Sequence, residues 1–234
     1  MRSPFTLAEW LHEQSRLAEL VAHDMRNPLQ PMEAAIFALE TPGLTSDEIA
    51  EAVADLRGAI GWQRLFIENS LCIARLENSG VVRTTSEISL LSATTKAMHE
   101  CNTIFGSSEI SIGIAPSDDV VLTTEPSILE LMFKNLFLNS IRYRRNAQLV
   151  SVQLAHEDGR ICVSIHDSGP PFGPFHQHFT REVQHSIKSQ SNGRYSRGLG
   201  LYVVGLILST INCTLVSRGD ERSGSTLDLW FSTH

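Results

Sequence analysis

The sequence has no apolar run long enough to cross a membrane. Its longest such run, Leu199 to Ile211, is interrupted by glycine, serine, threonine and tyrosine, and it is shorter than the ~20 residues that a spanning helix needs. The first residues also lack the basic segment followed by an apolar segment that marks a secretory signal. We therefore expect a cytoplasmic chain without a membrane span.

The sequence also lacks an excess of positive charge. Its 19 Lys and Arg residues are outnumbered by 26 Asp and Glu residues, which gives a formal net charge of -7. Nucleic-acid binding depends on a positive surface that replaces the counterions of the phosphates. We therefore expect no nucleic-acid partner.

Cysteine is scarce, and no CxxC pair occurs. The four cysteines are scattered over the chain, so neither a zinc site nor a disulfide framework is indicated. They are expected to be buried free thiols in a reducing compartment. These residues are Cys72, Cys101, Cys162 and Cys213.

The first third of the chain contains a heptad-like apolar pattern. Over residues 7–39 apolar side chains recur at spacings of four and three, and Thr41-Pro42-Gly43 then predicts the end of a helix. Thr45 and the acidic residues after it predict the start of a second helix, over which the spacing continues to residue 74. Two such helices bury too little surface alone, so we expect a homodimeric four-helix bundle.

After Gly80 the periodicity changes, which predicts a helical dimerisation unit over 1–80 and a second domain over 81–234. The second domain is expected to be α+β, with helices packed on one face of a mixed or antiparallel sheet. Period-two alternation and turn signals predict strands near 109–115, 149–155, 160–167, 214–216 and 226–230, and helices over 128–143 and 199–211.

His23 lies on the first predicted helix, two residues after Val21 and two before Met25, which both belong to the apolar stripe. At ~100° per residue it projects about 200° from each of them, onto the face that turns away from the seam. Glu19 and Asn27 lie four residues to either side and share that face. The position predicts an exposed histidine rather than a core histidine, and by itself gives it no role.

Six short motifs occur in an order that covers nearly the whole chain. They are segments 23–29 (HDMRNPL), 75–80 (RLENSG), 135–143 (NLFLNSIRY), 167–169 (DSG), 198–201 (GLGL) and 224–226 (GST). Each is weak alone, but their order resembles that of two-component sensor histidine kinases with a dimerising phosphoacceptor hairpin and a GHKL-type ATP-binding domain. The resemblance implies an ATP-dependent protein-histidine kinase that uses Mg²⁺, forms a homodimer and has the receiver domain of a response regulator as its partner. It makes residues 1–80 the dimerisation and histidine phosphotransfer domain and residues 81–234 the catalytic ATP-binding domain.

The resemblance assigns the phosphate end of a nucleotide site. Asn135 and Asn139 are one helical turn apart and face the same side of a predicted helix. By the resemblance Asn139 ligates Mg²⁺ through its amide oxygen, and Asn135 lies close to the phosphates. Arg142 replaces the lysine that the family usually has there. The segment with Gly198, Leu199, Gly200 and Leu201 precedes an apolar helix whose N-terminal amides favour phosphate.

The resemblance also assigns the adenine end of that site. Tyr143 would pack against the adenine. Asp167 would accept a hydrogen bond from the amino group of the adenine, and Gly169 would let the backbone approach the base. Thr226 belongs to the closing glycine-Ser/Thr segment and is expected at the same site. The polar segment 172–197 is expected to form a mobile lid over the nucleotide.

His23 is, by the same resemblance, the phosphate acceptor. It would attack the γ-phosphate through Nε2 while Nδ1 carries the proton. Asp24 would hold that tautomer and act as a general base. Asn27 matches the position that orients a water for dephosphorylation of the response regulator, so phosphatase activity is also expected.

Several positions depart from the family pattern. Pro170-Pro171, Ser196 and Asn212-Cys213 stand where the family usually has glycine, and Pro31 adds a second proline after Pro28. These departures favour an alternative, a non-catalytic dimeric phosphotransfer or adaptor protein with a degenerate ATP-binding domain. A third class, a serine kinase or anti-sigma factor on the same ATP-binding fold, lacks the phosphoacceptor hairpin that residues 7–80 predict here.

Overall fold

The structure is a computed structural model that describes residues 25, 29–79, 85–105, 110–113, 120–145, 148–157, 160–170, 199–211, 213–220 and 223–232. Five helices and seven strands lie within these residues. The helices are α1 (Leu29–Leu39), α2 (Ser46–Ser79), α3 (Leu90–Phe105), α4 (Pro126–Tyr143) and α5 (Leu199–Thr210). The strands are β1 (Ser86–Ser89), β2 (Ile110–Gly113), β3 (Val121–Thr124), β4 (Val150–Glu157), β5 (Arg160–Asp167), β6 (Cys213–Asp220) and β7 (Gly224–Ser232).

Helices α1 and α2 form the predicted hairpin. The first ends at Leu39, and the chain turns through Gly43, whose positive φ of 84° is readily adopted by glycine. Thr45 caps α2, because its hydroxyl accepts the backbone N–H of Glu48 at 3.3 Å while the Glu48 carboxylate accepts the Thr45 N–H at 2.7 Å. The Thr45 N–H and the Thr45 hydroxyl, which also donates to the Glu48 carboxylate at 2.7 Å, lower the pKa of Glu48. The predicted helix end and helix start are both confirmed.

The hairpin leaves a set of large apolar side chains exposed. Phe37 of α1 is 75% exposed and Leu71 of α2 is 65% exposed. The other large hydrophobic residues exposed on these two helices are Leu29, Ile36, Ile49, Ile60 and Ile67. An uncovered apolar surface of this kind is typical of an interface. The homodimeric bundle itself remains a prediction.

The second half is built on a five-stranded sheet with the strand order β2-β4-β5-β7-β6. Strand β2 runs parallel to β4, and the other neighbouring pairs are antiparallel. The inward-facing residues of the central strands, such as Val163 and Leu229, are fully buried in the core formed with the helices. The predicted α+β fold with a mixed sheet is therefore confirmed.

Helix α3 and the two-stranded sheet of β1 and β3 are absent from the sequence-based expectations. Strand β1 pairs antiparallel with β3 and leads directly into α3. Leu90, Ala93, Ala97 and Cys101 are fully buried on one face of α3, at the spacing of a helix. This helix lies beside α4 and adds to the layer of helices over the sheet.

The C-terminal half of α2 belongs to the same hydrophobic core as the sheet. Leu65, Cys72, Ile73 and Leu76 are buried there with residues of α4 and α5. The division into domains at residue 80 remains a prediction. All four cysteines are free and buried, as expected, and burial raises the pKa of Cys101 to about 12. In the described part of the chain no helix is long and apolar enough to cross a membrane.

Candidate functional site

Helix α4 carries the polar residues from which the candidate site is built. It is buried on nearly all sides, yet Lys134, Asn135, Asn139 and Ser140 lie on it between buried apolar residues. Burying polar groups in a helix is costly unless each finds a partner. The partners of these side chains, or the lack of one, therefore indicate what each residue does.

Asp167 ends β5 on the inner face of the sheet and is only 4% exposed. Its Oδ1 accepts the backbone N–H of Gly169 at 2.7 Å. Burial raises the pKa of this carboxyl, and the hydrogen bond from the Gly169 N–H offsets part of that effect. A buried carboxylate at the end of a strand, with a glycine two residues later, is suited to accept a hydrogen bond from a ligand.

Gly169 is required by the close packing around Asp167. A Cβ atom at this position would lie 2.6 Å from Asp167 Oδ1 and 2.9 Å from the carbonyl oxygen of Tyr143. The carbonyl oxygen of Tyr143 belongs to the backbone and has little freedom to move away from such a Cβ. The last residues of β5 are thus held against the end of α4, so the predicted adenine residues Tyr143, Asp167 and Gly169 do lie together.

The structure does not bring Thr226 to Asp167. Thr226 pairs across the strands with His166, and its Oγ1 lies 3.0 Å from Nδ1 of that histidine on the other face of the sheet. Ser225 is the residue opposite Asp167 and is only 1% exposed. Successive side chains of a strand point to opposite faces of the sheet, so the alternation along β5 and β7 favours Ser225 over Thr226 at the site.

Asn139 has the features expected of a ligand for a bound cation. Its amide nitrogen is buried, and among the described residues it has no hydrogen-bond partner. Because the amide nitrogen has no partner there, a half-turn of the amide would break no hydrogen bond of that nitrogen and would present Oδ1, the atom type that Mg²⁺ binds. No group of three acidic, histidine or cysteine side chains in the described ranges could hold a metal. The unpartnered amide of Asn139 fits a Mg²⁺ that takes one protein oxygen at this position.

Asn135 is placed differently from its neighbour one turn away. It is 3% exposed, and its amide forms two hydrogen bonds with the amide of Asn69 on α2, at 2.7 and 2.9 Å. Its Nδ2 also donates to the carbonyl oxygen of Leu131 at 2.9 Å. Both amide protons of Asn135 are thus used within the protein, which the sequence analysis did not anticipate.

Gly200 lies against Asn135 at the start of α5. A Cβ atom on Gly200 would lie 2.5 Å from Asn135 Oδ1, so glycine permits this close approach. Leu199 is 1% exposed in the core, and Leu201 packs against the core. These two leucines pack the N-terminus of α5 against the core, and their contact with a nucleotide remains a prediction.

Arg142 lies between two aromatic rings. Its guanidinium carbon is 5.5 Å from the ring centroid of Tyr143 and 5.8 Å from that of Trp62 on α2. Arg142 itself is exposed. Asn135 and Arg142, the residues of α4 predicted near the phosphates, therefore both contact the hairpin.

Two ion pairs join α2 to the rest of the chain near the candidate site. Lys134 lies 2.5 Å from Glu68 of α2 and 3.0 Å from Glu100 of α3. Burial opposes the charge of Lys134, but the two carboxylates outweigh that effect and raise its pKa. Arg75 of α2 lies 2.6 Å from Glu125 at the start of α4. The sequence carried no signal for these pairs, because their partners are 50 or 66 residues apart.

Four of the predicted site residues lie outside the described residues. They are His23, Asp24, Asn27 and Gly198. The predicted lid over 172–197 lies outside them as well. The roles of these residues remain predictions.

Comparison with protein families identifies the class of the second half. Residues 124–234 match the family described as histidine kinase-, DNA gyrase B- and HSP90-like ATPases. The matched segment contains α4, β5, α5 and β7, and so all of the described site residues. This part of the chain is therefore similar to the ATPase domains of that family.

Relatives that match more of the chain are sensor kinases. The sensor protein QseC of Salmonella typhi is 24% identical over 212 residues, which are 90% of this chain and 46% of QseC. The adaptive-response sensory kinase SasA of a Synechococcus strain is 25% identical over 213 residues, 85% of this chain and 51% of SasA. The chain spans about half the length of these curated relatives.

Solved structures share the fold. The histidine kinase AdeS of Acinetobacter baumannii has a TM-score of 0.56 at 16% identity, and the match covers 90% of this chain and 97% of that chain. The cytoplasmic segment of the histidine kinase QseC has a TM-score of 0.51 at 17% identity, with coverages of 73% and 95%. The chain is related to the two-component sensor histidine kinases.

Proposed function

We propose that the chain is an ATP-dependent protein-histidine kinase that phosphorylates itself on His23 and passes the phosphoryl group to an aspartate of a response regulator. The observation that carries the proposal is the buried Asp167 carboxylate, held by Gly169 against α4, within a segment of the ATPase family. A related fold, that of ShkA with a TM-score of 0.50, was solved in complex with AMPPNP.

The residues of α4, β5 and α5 fit a nucleotide and its cation. Asp167 would accept a hydrogen bond from the amino group of the base, Tyr143 would contact the ring, and Asn139 would ligate Mg²⁺. The N-terminus of α5 offers backbone N–H groups and a favourable dipole to phosphates. A bound Mg²⁺–ATP would supply the phosphoryl group and neutralise part of its charge. Phosphoryl transfer depends mainly on positioning and charge neutralisation, for which these residues suffice.

The proposed acceptor chemistry involves three residues of the first helix. His23 needs an unprotonated Nε2 for attack on the γ-phosphate. Asp24 would hold the proton on Nδ1 and act as general base. Asn27 would orient a water for dephosphorylation of the regulator. The exposed apolar stripe of α1 and α2 supports a homodimer in which two hairpins pack together. The receiver domain of the regulator would dock on that bundle.

Incubation with γ-labelled ATP tests the proposal directly. The wild-type chain should incorporate label that is acid-labile and alkali-stable, as a phosphohistidine is, and His23→Gln should abolish it. Asp167→Asn serves as a second variant that should fail at the nucleotide step. Label that is stable to acid would instead indicate a serine or threonine kinase, and label retained by His23→Gln would contradict the assigned acceptor.

One observation favours the alternative of a non-catalytic adaptor. The amide of Asn135, expected near the phosphates, is used within the protein by Asn69. A degenerate ATP-binding domain would show little heat of binding when Mg²⁺–ATP is titrated into the chain. Binding in that titration, together with labelling of His23, would exclude the adaptor.

A further inference from the structure

Helix α2 reaches the candidate site with a reciprocal amide pair. Asn69 Nδ2 donates to Asn135 Oδ1 at 2.9 Å, and Asn135 Nδ2 donates to Asn69 Oδ1 at 2.7 Å. Asn69 is 4% exposed and Asn135 is 3% exposed, so water does not compete for these bonds. We call this pair of side chains the amide latch.

Three further contacts join α2 to the same side of the ATPase domain. Each uses a polar or aromatic residue of α2 and a charged residue of α4 or of the segment just before it. The pairs are Trp62 with Arg142, Glu68 with Lys134, and Arg75 with Glu125. Residues 62 and 69 are one heptad apart, as are 68 and 75, so the contacts lie on two adjacent stripes of α2 about 120° apart at ~100° per residue.

The amide latch lies at the predicted phosphate end of the nucleotide site. Asn135 contacts Gly200, the second residue of α5, where phosphate is expected to meet the helix N-terminus. Both N–H groups of Asn135 are already donated, to Asn69 and to Leu131. In this arrangement Asn135 has no proton left to donate to a phosphate oxygen.

We propose that the amide latch is an autoinhibitory contact, in which Asn69 competes with the nucleotide phosphates for Asn135 and must release it before the nucleotide is held in full. The proposal rests on the proposed ATP site. Arg142, held beside Trp62, would be freed in the same step. A ligand shifts such an equilibrium only by its differential affinity for the open state, so weakening the latch should tighten nucleotide binding.

Substitution of Asn69 separates the latch from the nucleotide site, because Asn69 lies outside the ATPase segment. Calorimetric titration with Mg²⁺–AMPPNP should show that Asn69→Ala binds about tenfold more tightly than the wild type, since two buried hydrogen bonds no longer oppose binding. Asn69→Ser keeps one hydroxyl at the position and should give an intermediate gain. Ser70→Ala is the matched control, because the Ser70 hydroxyl donates to Phe66 of its own helix, and its affinity should equal that of the wild type.

Trp62 gives a readout that does not depend on catalysis. In a background with Trp10→Phe and Trp230→Phe, AMPPNP should change the emission of Trp62 as Arg142 leaves its ring. Asn69→Ala should show part of that change before nucleotide is added. A purely structural role for Asn69 would leave affinity unchanged or weaken it, and either result overturns the latch.

The outcomes for the latch and for the kinase are distinguishable. If AMPPNP binds and responds to Asn69→Ala as expected but γ-labelled ATP leaves no label on His23, the kinase proposal fails and the latch stands. If no variant binds AMPPNP, the latch fails as well. If Ser70→Ala gains as much affinity as Asn69→Ala, general loosening of α2 explains the result and the latch is overturned.

Discussion

The two ends of the candidate nucleotide site are held by different parts of the chain. At the adenine end, Asp167 and Gly169 are fixed by β5, β7 and the end of α4, all within the ATPase segment. At the phosphate end, Asn135 and Arg142 contact Asn69 and Trp62 of the hairpin. One end is therefore preformed, whereas the other depends on where the hairpin lies.

We infer from this difference that the adenine end serves to recognise the nucleotide and that the phosphate end serves to control its binding. At this candidate site, a preformed adenine end would let the nucleotide bind without reorganisation of the sheet. Control then acts where the phosphates would lie, through contacts that the hairpin can make or release. Each of the predictions below strengthens or breaks this contrast.

The largest effect is expected from Asp167→Asn at the adenine end. Asparagine can still accept a hydrogen bond through its oxygen, but it lacks the negative charge of aspartate. In its other orientation it would place its own N–H groups against a donor on the base. Affinity for Mg²⁺–AMPPNP in calorimetry should fall about 30-fold, which is the range for a hydrogen bond to a charged group.

Asp228→Asn is the matched control for that experiment. Asp228 is a buried carboxylate on the neighbouring strand β7, where it pairs with Ser164 and Arg218 on the other face of the sheet. Its substitution should lower the melting temperature and leave nucleotide affinity unchanged. Equal losses of affinity in the two variants would mean that Asp167 acts only through stability.

Alanine at the two glycines should affect the two ends differently. Gly169→Ala places a Cβ against the backbone oxygen of Tyr143, which cannot move away, so nucleotide affinity should fall about tenfold. Gly200→Ala meets only the side-chain amide of Asn135 and should displace it from Asn69. Hydrogen exchange over residues 62–76 should therefore increase in Gly200→Ala but not in Gly169→Ala. The reverse pattern would contradict the assignment of the two ends.

Asp167→Asn should also change how stability depends on pH. Burial raises the pKa of Asp167 above its usual value, so the folded state binds the proton more tightly than the unfolded chain does. The ionised carboxyl therefore costs stability above its folded pKa, and this cost is absent below the unfolded value near 3.8. In thermal unfolding the variant should gain on the wild type at pH 7 and lose that advantage toward pH 4. A constant difference across this range would show that the charge is not the cause.

Periodicity predicted most of the fold and missed one layer of it. The alternation of β5 and the cap at Thr45 are local signals, and the structure reproduces both. Helix α3 was missed although Leu90, Ala93, Ala97 and Cys101 follow a helical spacing. Its threonines, serine and histidine are poor helix formers, and packing against α4 outweighs that weak propensity.

The site was predicted where motifs determine it and not where tertiary contacts do. Asp167, Gly169 and Tyr143 come from short motifs, and the structure brings them together. No motif could reveal that Asn135 pairs with Asn69, because the partner lies 66 residues away on another helix. An amide on an otherwise buried helix indicates a partner without identifying it.

The smallest effect is expected from Glu68→Gln, which weakens the hairpin contact at the phosphate end. Lys134 bridges Glu68 of α2 and Glu100 of α3, and both carboxylates are 41% exposed, so each pair contributes little and is screened by salt. Loss of the Glu68 charge should raise the affinity for Mg²⁺–AMPPNP about twofold at low salt, because this ion pair is the one that joins Lys134 to the described part of the hairpin. Glu100→Gln removes the same charge from the same lysine but leaves α2 attached, so its affinity should not rise. Titrations of both variants at low and high salt distinguish the two cases. A gain in affinity that is confined to Glu68→Gln and lost at high salt means that the hairpin restrains the phosphate end. Equal gains in the two variants would mean that Lys134 acts on the nucleotide through its charge alone.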